Sequence, residues 1–171
     1  MAANTTARNA RMRTFQTRID LPAKSREKLI ALLNQHVADT FDLYGQCKQA
    51  HWNVKGPQFY QLHELFDALA AEVLAHVDAI AERATALGGT ALGTVRMAAS
   101  ASRLEEYPTA AVESMAHVEA LAERFAALGA HTRAAIDEAE KLGDADTADL
   151  FTEVSRALDK NLWFLEAHVQ G

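Results

Sequence analysis

The sequence predicts an all-α protein: a four-helix bundle with a short extra helix in the long link between its second and third helices. Three observations carry this. Apolar residues recur at helical spacing through four long segments. Ala is abundant, while Gly and Pro number only 8 and 3 in 171 residues, which favours helix over sheet. The breakers "NVKGP", "GGTALGT" and "GDAD" fall between the periodic segments. A chain of 171 residues suits one domain with a sizeable core. Its hydrophobic and charged fractions, 49% and 23%, are those of an ordinary soluble globular protein.

Residues 1–20, "MAANTTARNARMRTFQTRID", stand apart from the bundle domain, residues 21–171. They carry Arg8, Arg11, Arg13 and Arg18 and no acid before Asp20, and their polar, aperiodic composition predicts a flexible basic tail. The first helix is expected over 23–52, with Leu29, Leu32, Leu33, Val37, Phe41 and Leu43 as its apolar face. The second, over 59–87, places Leu62, Phe66, Leu69, Val73, Val77, Ile80 and Leu87 on one stripe. The link from 89 to 109 is long enough to cross the bundle, and "TVRMAASAS" within it is expected to form the short helix. The third helix starts after "YPT", with Thr109 as N-cap, and reaches 141. The fourth spans 147–169, with Leu150, Val154, Leu158, Leu162 and Leu165 facing the core.

The formal charge is −6, so the molecule as a whole is not an obvious nucleic-acid binder. The four tail arginines sharpen this into an asymmetry, because without them the charge is −10. Cys47 is the only cysteine, so no intrachain disulfide framework is expected, and a reducing cytoplasm fits. The first 20 residues lack the apolar stretch of a signal peptide, and no run approaches a membrane span.

The second helix carries an anomaly. Residues 63–82, "HELFDALAAEVLAHVDAIAE", hold five acids and two histidines, and no Lys or Arg occurs between Lys55 and Arg83. Solvated helix faces usually mix signs, since like charges four apart oppose each other. At about 100° per residue, Asp67, Asp78 and Glu82 fall roughly 40°, 60° and 100° from His63, beside the apolar stripe and not opposite it. Ala70, Ala71, Leu74 and Ala81 lie between them, leaving room for another backbone.

His63 and Asp67 are four apart, as are Asp78 and Glu82, so each pair can converge on one ligand. Asp67 and Asp78 are separated by about 16 Å of helix rise and cannot share a metal within one straight helix. A second, antiparallel copy of the helix solves this. Asp67 and Asp78, and likewise His63 and Glu82, are symmetric about a point between residues 72 and 73. A two-fold axis there sets Asp67 against the partner's Asp78 and His63 against the partner's Glu82, giving two equivalent sites. His51 can add a nitrogen if the end of the first helix packs beside His63. Such His, Asp and Glu ligands fit iron, manganese or zinc. No Glu-x-x-His occurs in the chain, which argues against an intrasubunit di-iron centre. The plain alternative is a pair of polar i,i+4 neighbours on an Ala-rich helix.

"KQAHWNVKGPQFYQLHELFD", "HVDAIAERATALGGTALGT" and "SRALDKNLWFLEAHVQ" resemble the Dps family, the mini-ferritins named as DNA-binding proteins from starved cells, over residues 25–170. The resemblance implies a ferritin-like bundle, a hollow homododecamer, and a ferroxidase site between two-fold-related subunits. His51, His63 and Asp67 match the ligands given by one chain, and Asp78 and Glu82 those given by its neighbour. The implied chemistry is oxidation of Fe(II), preferentially by hydrogen peroxide, with storage of ferric mineral in the cavity and protection of DNA.

The resemblance also gives Trp52 a possible role as electron donor, against a plain role in subunit packing. It offers Asp144, Asp146 and Asp149 as pore residues, against helix capping. Trp163 is expected in the core. Cys47 is read as a small buried apolar residue, and His36, His76, His117, His131 and His168 as structural or exposed. Arg8, Arg11, Arg13 and Arg18 on many arms of one particle would bind DNA phosphates non-specifically by avidity, placing the protein with the nucleoid. An architectural, DNA-compacting shell with secondary metal chemistry is the alternative. A mononuclear His/carboxylate oxygenase or hydrolase is disfavoured, because no substrate-pocket motif is evident. "GGTALGT" lacks the ending of a phosphate loop.

Overall fold

The computed structural model describes residues 13–170, so Arg8 and Arg11 lie outside the described residues. The described chain forms five helices: α1 (Ala23–Asn53), α2 (Phe59–Ala86), α3 (Val95–Ala101), α4 (Ser114–Lys141) and α5 (Ala145–Glu166). The four long ones make the bundle, and α3 is the short helix expected in the link. Thr94 caps α3 by accepting from the Met97 amide.

The bundle is two hairpins, α1 with α2 and α4 with α5. The α1–α2 pair is antiparallel, since His51 meets His63, Lys48 meets Asp67, and Ile30 lies against Gly89. Every member of the predicted α2 stripe is buried. Phe66, Phe125 and Phe151, from α2, α4 and α5, join Leu33 and Val37 of α1 in one core. None of the described helices is long and apolar enough to cross a membrane.

The link crosses the bundle as its length predicts, and a row of polar side chains along α1 guides it. Asn34 donates to the Thr90 carbonyl at 3.0 Å and accepts from the Leu92 amide at 2.8 Å. Gln35 donates to the Ala101 carbonyl. Asp39, fully buried, accepts from the Arg103 amide, Nε and Nη2 at 2.7, 2.9 and 2.6 Å. Asp42 accepts from Ser102 Oγ, and Gln46 donates to the Glu105 carbonyl. Contacts thus climb both chains in the same direction. The link carries the chain from the end of α2 back to the end of α1, where Ser114 Oγ donates to the Lys55 carbonyl at 2.6 Å. There α4 begins.

The start of α4 corrects the sequence expectation. Residues after Pro108 form a turn, closed by the Ala111 amide on the Pro108 carbonyl. The helix therefore begins at Ser114 and not beside Thr109, which is exposed. At the other end of α4, Gly143 takes a φ of +83°, and α5 starts at Ala145, two residues earlier than expected, because Asp144 accepts from the Thr147 amide as its N-cap.

Residues 13–20 hold no helix or strand, as their composition predicts. They are nonetheless strapped to the corner after α2. The Phe15 amide donates to the Gly88 carbonyl at 2.7 Å, and Thr90 Oγ1 donates to the Arg13 carbonyl at 2.9 Å. Gly88 is required here. Its φ is +89°, and a Cβ would stand 2.4 Å from the Phe15 carbonyl oxygen.

Candidate metal centre

The end of α1 and the start of α2 bring His51 and His63 together. Their rings stack with centroids 3.8 Å apart and planes 19° from parallel. Each Nδ1 lies on the other's backbone carbonyl: His51 Nδ1 is 2.8 Å from the His63 carbonyl oxygen, and His63 Nδ1 is 2.9 Å from that of His51. A carbonyl oxygen only accepts, so both Nδ1 atoms carry hydrogen. In the neutral rings the lone pair is then fixed on Nε2, the state a cation needs. Both side chains are partly exposed. The helix ends thus present a matched pair of imidazole donors.

Asp67 stands beside them, and its carboxylate is held by Lys48 of α1 at 2.5 Å. The hydrogen bond from Lys48 keeps the Asp67 carboxyl below the usual carboxylate range, helped by the charge of Lys48 and by the two histidines. The Lys48 ammonium also lies 5.8 Å from the Trp52 ring centroid, within cation–π range. Trp52 is 65% exposed in the protomer. Lys48 is the functional neighbour that sequence reasoning missed. Its one signal was a basic residue three positions before His51, on the same side of α1.

Asp78 and Glu82 lie farther along α2, both exposed, and make no ion pair among the described residues. Ala71 and Leu74 between the two pairs are exposed as well, whereas Ala70 turns into the core. Among the described residues of one protomer, no three His, Cys, Asp or Glu side chains converge to hold a metal. Among the described residues, the stripe's negative charge is thus met by an ion pair only at Asp67. Arg83, which ends the acidic run, turns away. It donates to Asp144 at 2.7 and 2.9 Å and to Thr147 Oγ1 at 3.0 Å.

That contact decides part of the acidic cluster at α5. Asp144 is 4% exposed and fully engaged as cap and ion-pair acceptor. Burial alone would raise its carboxyl, but the Thr147 hydroxyl and amide and the Arg83 guanidinium outweigh that and hold it below the usual range. Asp146 and Asp149 are exposed. Arg13 and Arg18 of the arm are exposed too.

Trp163 corrects an expectation: it is 61% exposed, not core. The core positions of α5 are Phe151, Val154, Leu158 and Leu165, and Trp163 sits roughly 140° from Leu158 at about 100° per residue. Local apolarity hid the phase. Cys47 is fully buried, and burial pushes its thiol up, away from ligand chemistry. His36 and His117 are buried, His76 and His131 partly so, and His168 is exposed.

The ferritin-like domain family matches residues 30–171. The chain is 47% identical to the DNA protection during starvation protein of Agrobacterium fabrum, covering 93% of this chain and 98% of that one. It is 33% identical to the protein of the same name from Brevibacillus brevis, covering 84% and 97%. DpsC from Streptomyces coelicolor superposes with a TM-score of 0.88 at 31% identity, covering 93% of both chains. On these likenesses and on its bundle, the chain belongs to the Dps family of ferritin-like proteins.

Proposed function

We propose that this protein is a ferroxidase and iron store. In this reading two copies meet across α2, and Fe(II) is oxidised between them, preferentially by hydrogen peroxide. His51, His63 and Asp67 of one copy and Asp78 and Glu82 of the other hold a pair of ferrous ions, which are substrate. The observation that carries this is the locked histidine pair. Both rings are fixed with Nε2 free, beside a carboxylate, on a helix whose Asp78 and Glu82 make no ion pair among the described residues.

The chemistry follows from pairing. Each Fe(II) gives one electron, and peroxide takes two electrons and two protons and leaves as two waters. Delivering both electrons together avoids release of hydroxyl radical. His51 and His63 supply neutral nitrogen, and the carboxylates offset the cationic charge. The oxidised iron collects as ferric mineral inside a dodecameric shell, and in this reading Asp149, with Asp146 beside Arg83 at 3.8 Å, draws Fe(II) inward. The arm, with Arg8, Arg11, Arg13 and Arg18, binds DNA phosphates non-specifically and loses them at high salt. The protein then acts in the cytoplasm at the nucleoid.

The test is anaerobic addition of Fe(II) to metal-free protein, followed by peroxide, with ferric absorbance and peroxide consumption read together. Rapid oxidation near one peroxide per two irons is expected. Oxidation no faster than in buffer would overturn the reading. The relatives' shared name, DNA protection during starvation protein, favours a second reading, a shell that protects DNA chiefly by covering it. Deletion of residues 1–18, which removes all four arginines, separates the two. Loss of gel retardation with full ferrous oxidation is expected, and retardation without oxidation would favour the covering shell.

A further inference from the structure

A second redox-capable arrangement lies at the same end of the bundle and has no place in the metal centre. Tyr107 closes the link before α4 and is 8% exposed. Its phenol oxygen lies 2.5 Å from Nδ1 of His117, a ring with no exposure at all. The ring centroids are 6.1 Å apart and the planes 21° from parallel. His117 Nε2 has no hydrogen-bond partner, and no described carboxylate bonds either ring. Besides His117, the ionisable groups that act electrostatically on Tyr107 are Cys47 and Arg124. Arg124 bonds the Ala120 and Glu106 carbonyls and Glu123 through Nη1 and Nη2, not Tyr107.

Pinning the link to α4 would need only a carbonyl to accept from the phenol. The partner here is a base, sealed from water. Burial pushes the phenol up and the imidazole down, so both stay neutral in the resting protein. One-electron oxidation makes a phenol strongly acidic, so electron and proton leave together when a base stands on the hydroxyl. The position also fits. Gln46 bonds the Glu105 carbonyl, two residues before Tyr107, and lies five residues before His51, about 7.5 Å of rise. His117 is one turn into α4, whose first residue bonds Lys55, one turn beyond His51.

We propose that Tyr107 and His117 form a redox-active pair that supplies the missing electron when peroxide meets a single ferrous ion. This rests on the reading of the metal centre as a site of peroxide-driven Fe(II) oxidation. A lone Fe(II) gives one electron, so peroxide is split into hydroxide and hydroxyl radical. Tyr107 gives the second electron, reducing that radical to hydroxide. The phenol proton passes to His117 Nδ1, leaving a neutral tyrosyl radical and an imidazolium. A later Fe(II) returns one electron to Tyr107, the proton moves back, and Fe(III) is the product. Tyr107 is the electron donor, and His117 positions it and holds the proton.

Rapid-freeze electron paramagnetic resonance on the full chain tests this, with Fe(II) below the number of sites and peroxide in excess. In parallel, a photogenerated one-electron oxidant is applied without iron. A tyrosyl signal is expected from both, and it is lost in Tyr107→Phe, which removes only a hydroxyl. His117→Gln keeps an acceptor for the phenol but cannot take its proton. It is expected to keep the fold and lose the signal, whereas a merely structural role would be rescued. A signal surviving in Tyr107→Phe, from Tyr44, Tyr60 or a tryptophan, overturns the proposal, as does no tyrosyl signal with the photo-oxidant. Paired Fe(II) oxidation, followed optically, is expected to be unchanged in both variants. If it is absent in the unmodified protein while the photo-oxidant still forms the Tyr107 radical, the metal reading fails and the pair stands.

Discussion

Two faces of the α1–α2 hairpin carry polar rows, and they end differently. Asn34, Gln35, Asp39, Asp42 and Gln46 are each bonded to link residues of the same chain. His51, His63, Asp67, Asp78 and Glu82 are not: both Nε2 atoms stand free, and Asp78 and Glu82 meet no described cation. Buried polar groups are satisfied because leaving them unpaired costs stability. A row that closes on its own chain is therefore architecture. A row left open on an exposed, Ala-lined helix is half of something. One row is complete within the protomer; in the proposed reading the other is completed by a second copy and a cation.

The comparison breaks hardest on the closed side. Arg103→Ala strands the fully buried Asp39 carboxylate with only the Arg103 amide and Gln35 for company. Breaking a buried pair costs about 3–5 kcal/mol, and with the Arg103 side chain itself 40% exposed a loss toward the lower end is expected, read as a fall in the urea midpoint. Ferrous oxidation per folded protein should persist. A loss below about 1 kcal/mol, the range of surface pairs, would show that the row is not what holds the link.

On the open side the expected pattern inverts. Asp78→Ala with Glu82→Ala touches only exposed carboxylates, so stability should change by no more than about 0.5 kcal/mol. Outer-shell partners of metals typically cost about 10–100-fold, so losing direct ligands should slow oxidation at least about a hundredfold, or roughly 2.7 kcal/mol. His51→Ala with His63→Ala should do the same. Co-expressing the two double variants gives the decisive reading. In a mixed pair one site loses both halves and the other keeps both, so two inactive chains should regain activity together. No recovery in demonstrably mixed particles would place the ligands within one chain.

The periodic part of this architecture was legible in the sequence, and the paired part was not. The α2 stripe from Leu62 to Leu87 is buried throughout because helical phase is a local property that neighbouring residues declare. The spacing of Asp67, Asp78, His63 and Glu82 about one point on α2 is equally local, and the pairing across two copies that it suggests belongs to the proposed reading. Trp163 was misplaced when local apolarity was weighed above phase. Lys48 on Asp67, the carbonyl locks on His51 and His63, and the α1 row that steers the link all join residues far apart in the chain. Beyond the placement of Lys48 one turn before His51, the sequence marks none of these partners. Ser114 shows the same limit, since α4 starts where Lys55 can receive it and not where a capping residue first appears.

Gly88 tests the closed side again with a smaller effect. Alanine at a φ of +89° would meet the Phe15 carbonyl, and left-handed backbone costs a residue with a Cβ about 1–2 kcal/mol. Gly88→Ala is expected to release the strap before it unfolds the bundle. Trypsin should then cut after Arg18 faster than in the unmodified protein, while Fe(II) oxidation is retained. Unchanged cleavage would mean that the strap holds without this contact.

Lys48 sharpens the comparison most finely, because among the described residues it is the one cation that pairs with the open row. Its pair with an exposed Asp67 contributes under about 1 kcal/mol to stability, so Lys48→Ala should melt almost where the parent does. Its charge nonetheless stands where a cation would bind, on the Asp67 carboxylate and beside two free imidazole nitrogens. Removing it should tighten Fe(II) binding roughly fivefold, an effect of about 1 kcal/mol, and added salt should shrink the difference. The measurement is Fe(II) titration of the metal-free protein, anaerobic and without peroxide. Tighter binding would identify Lys48 as a placeholder that keeps the centre neutral until its substrate arrives. Weaker binding would show instead that Lys48 orients Asp67 toward the cation, and the open row would then be more preorganised than its exposed acids suggest.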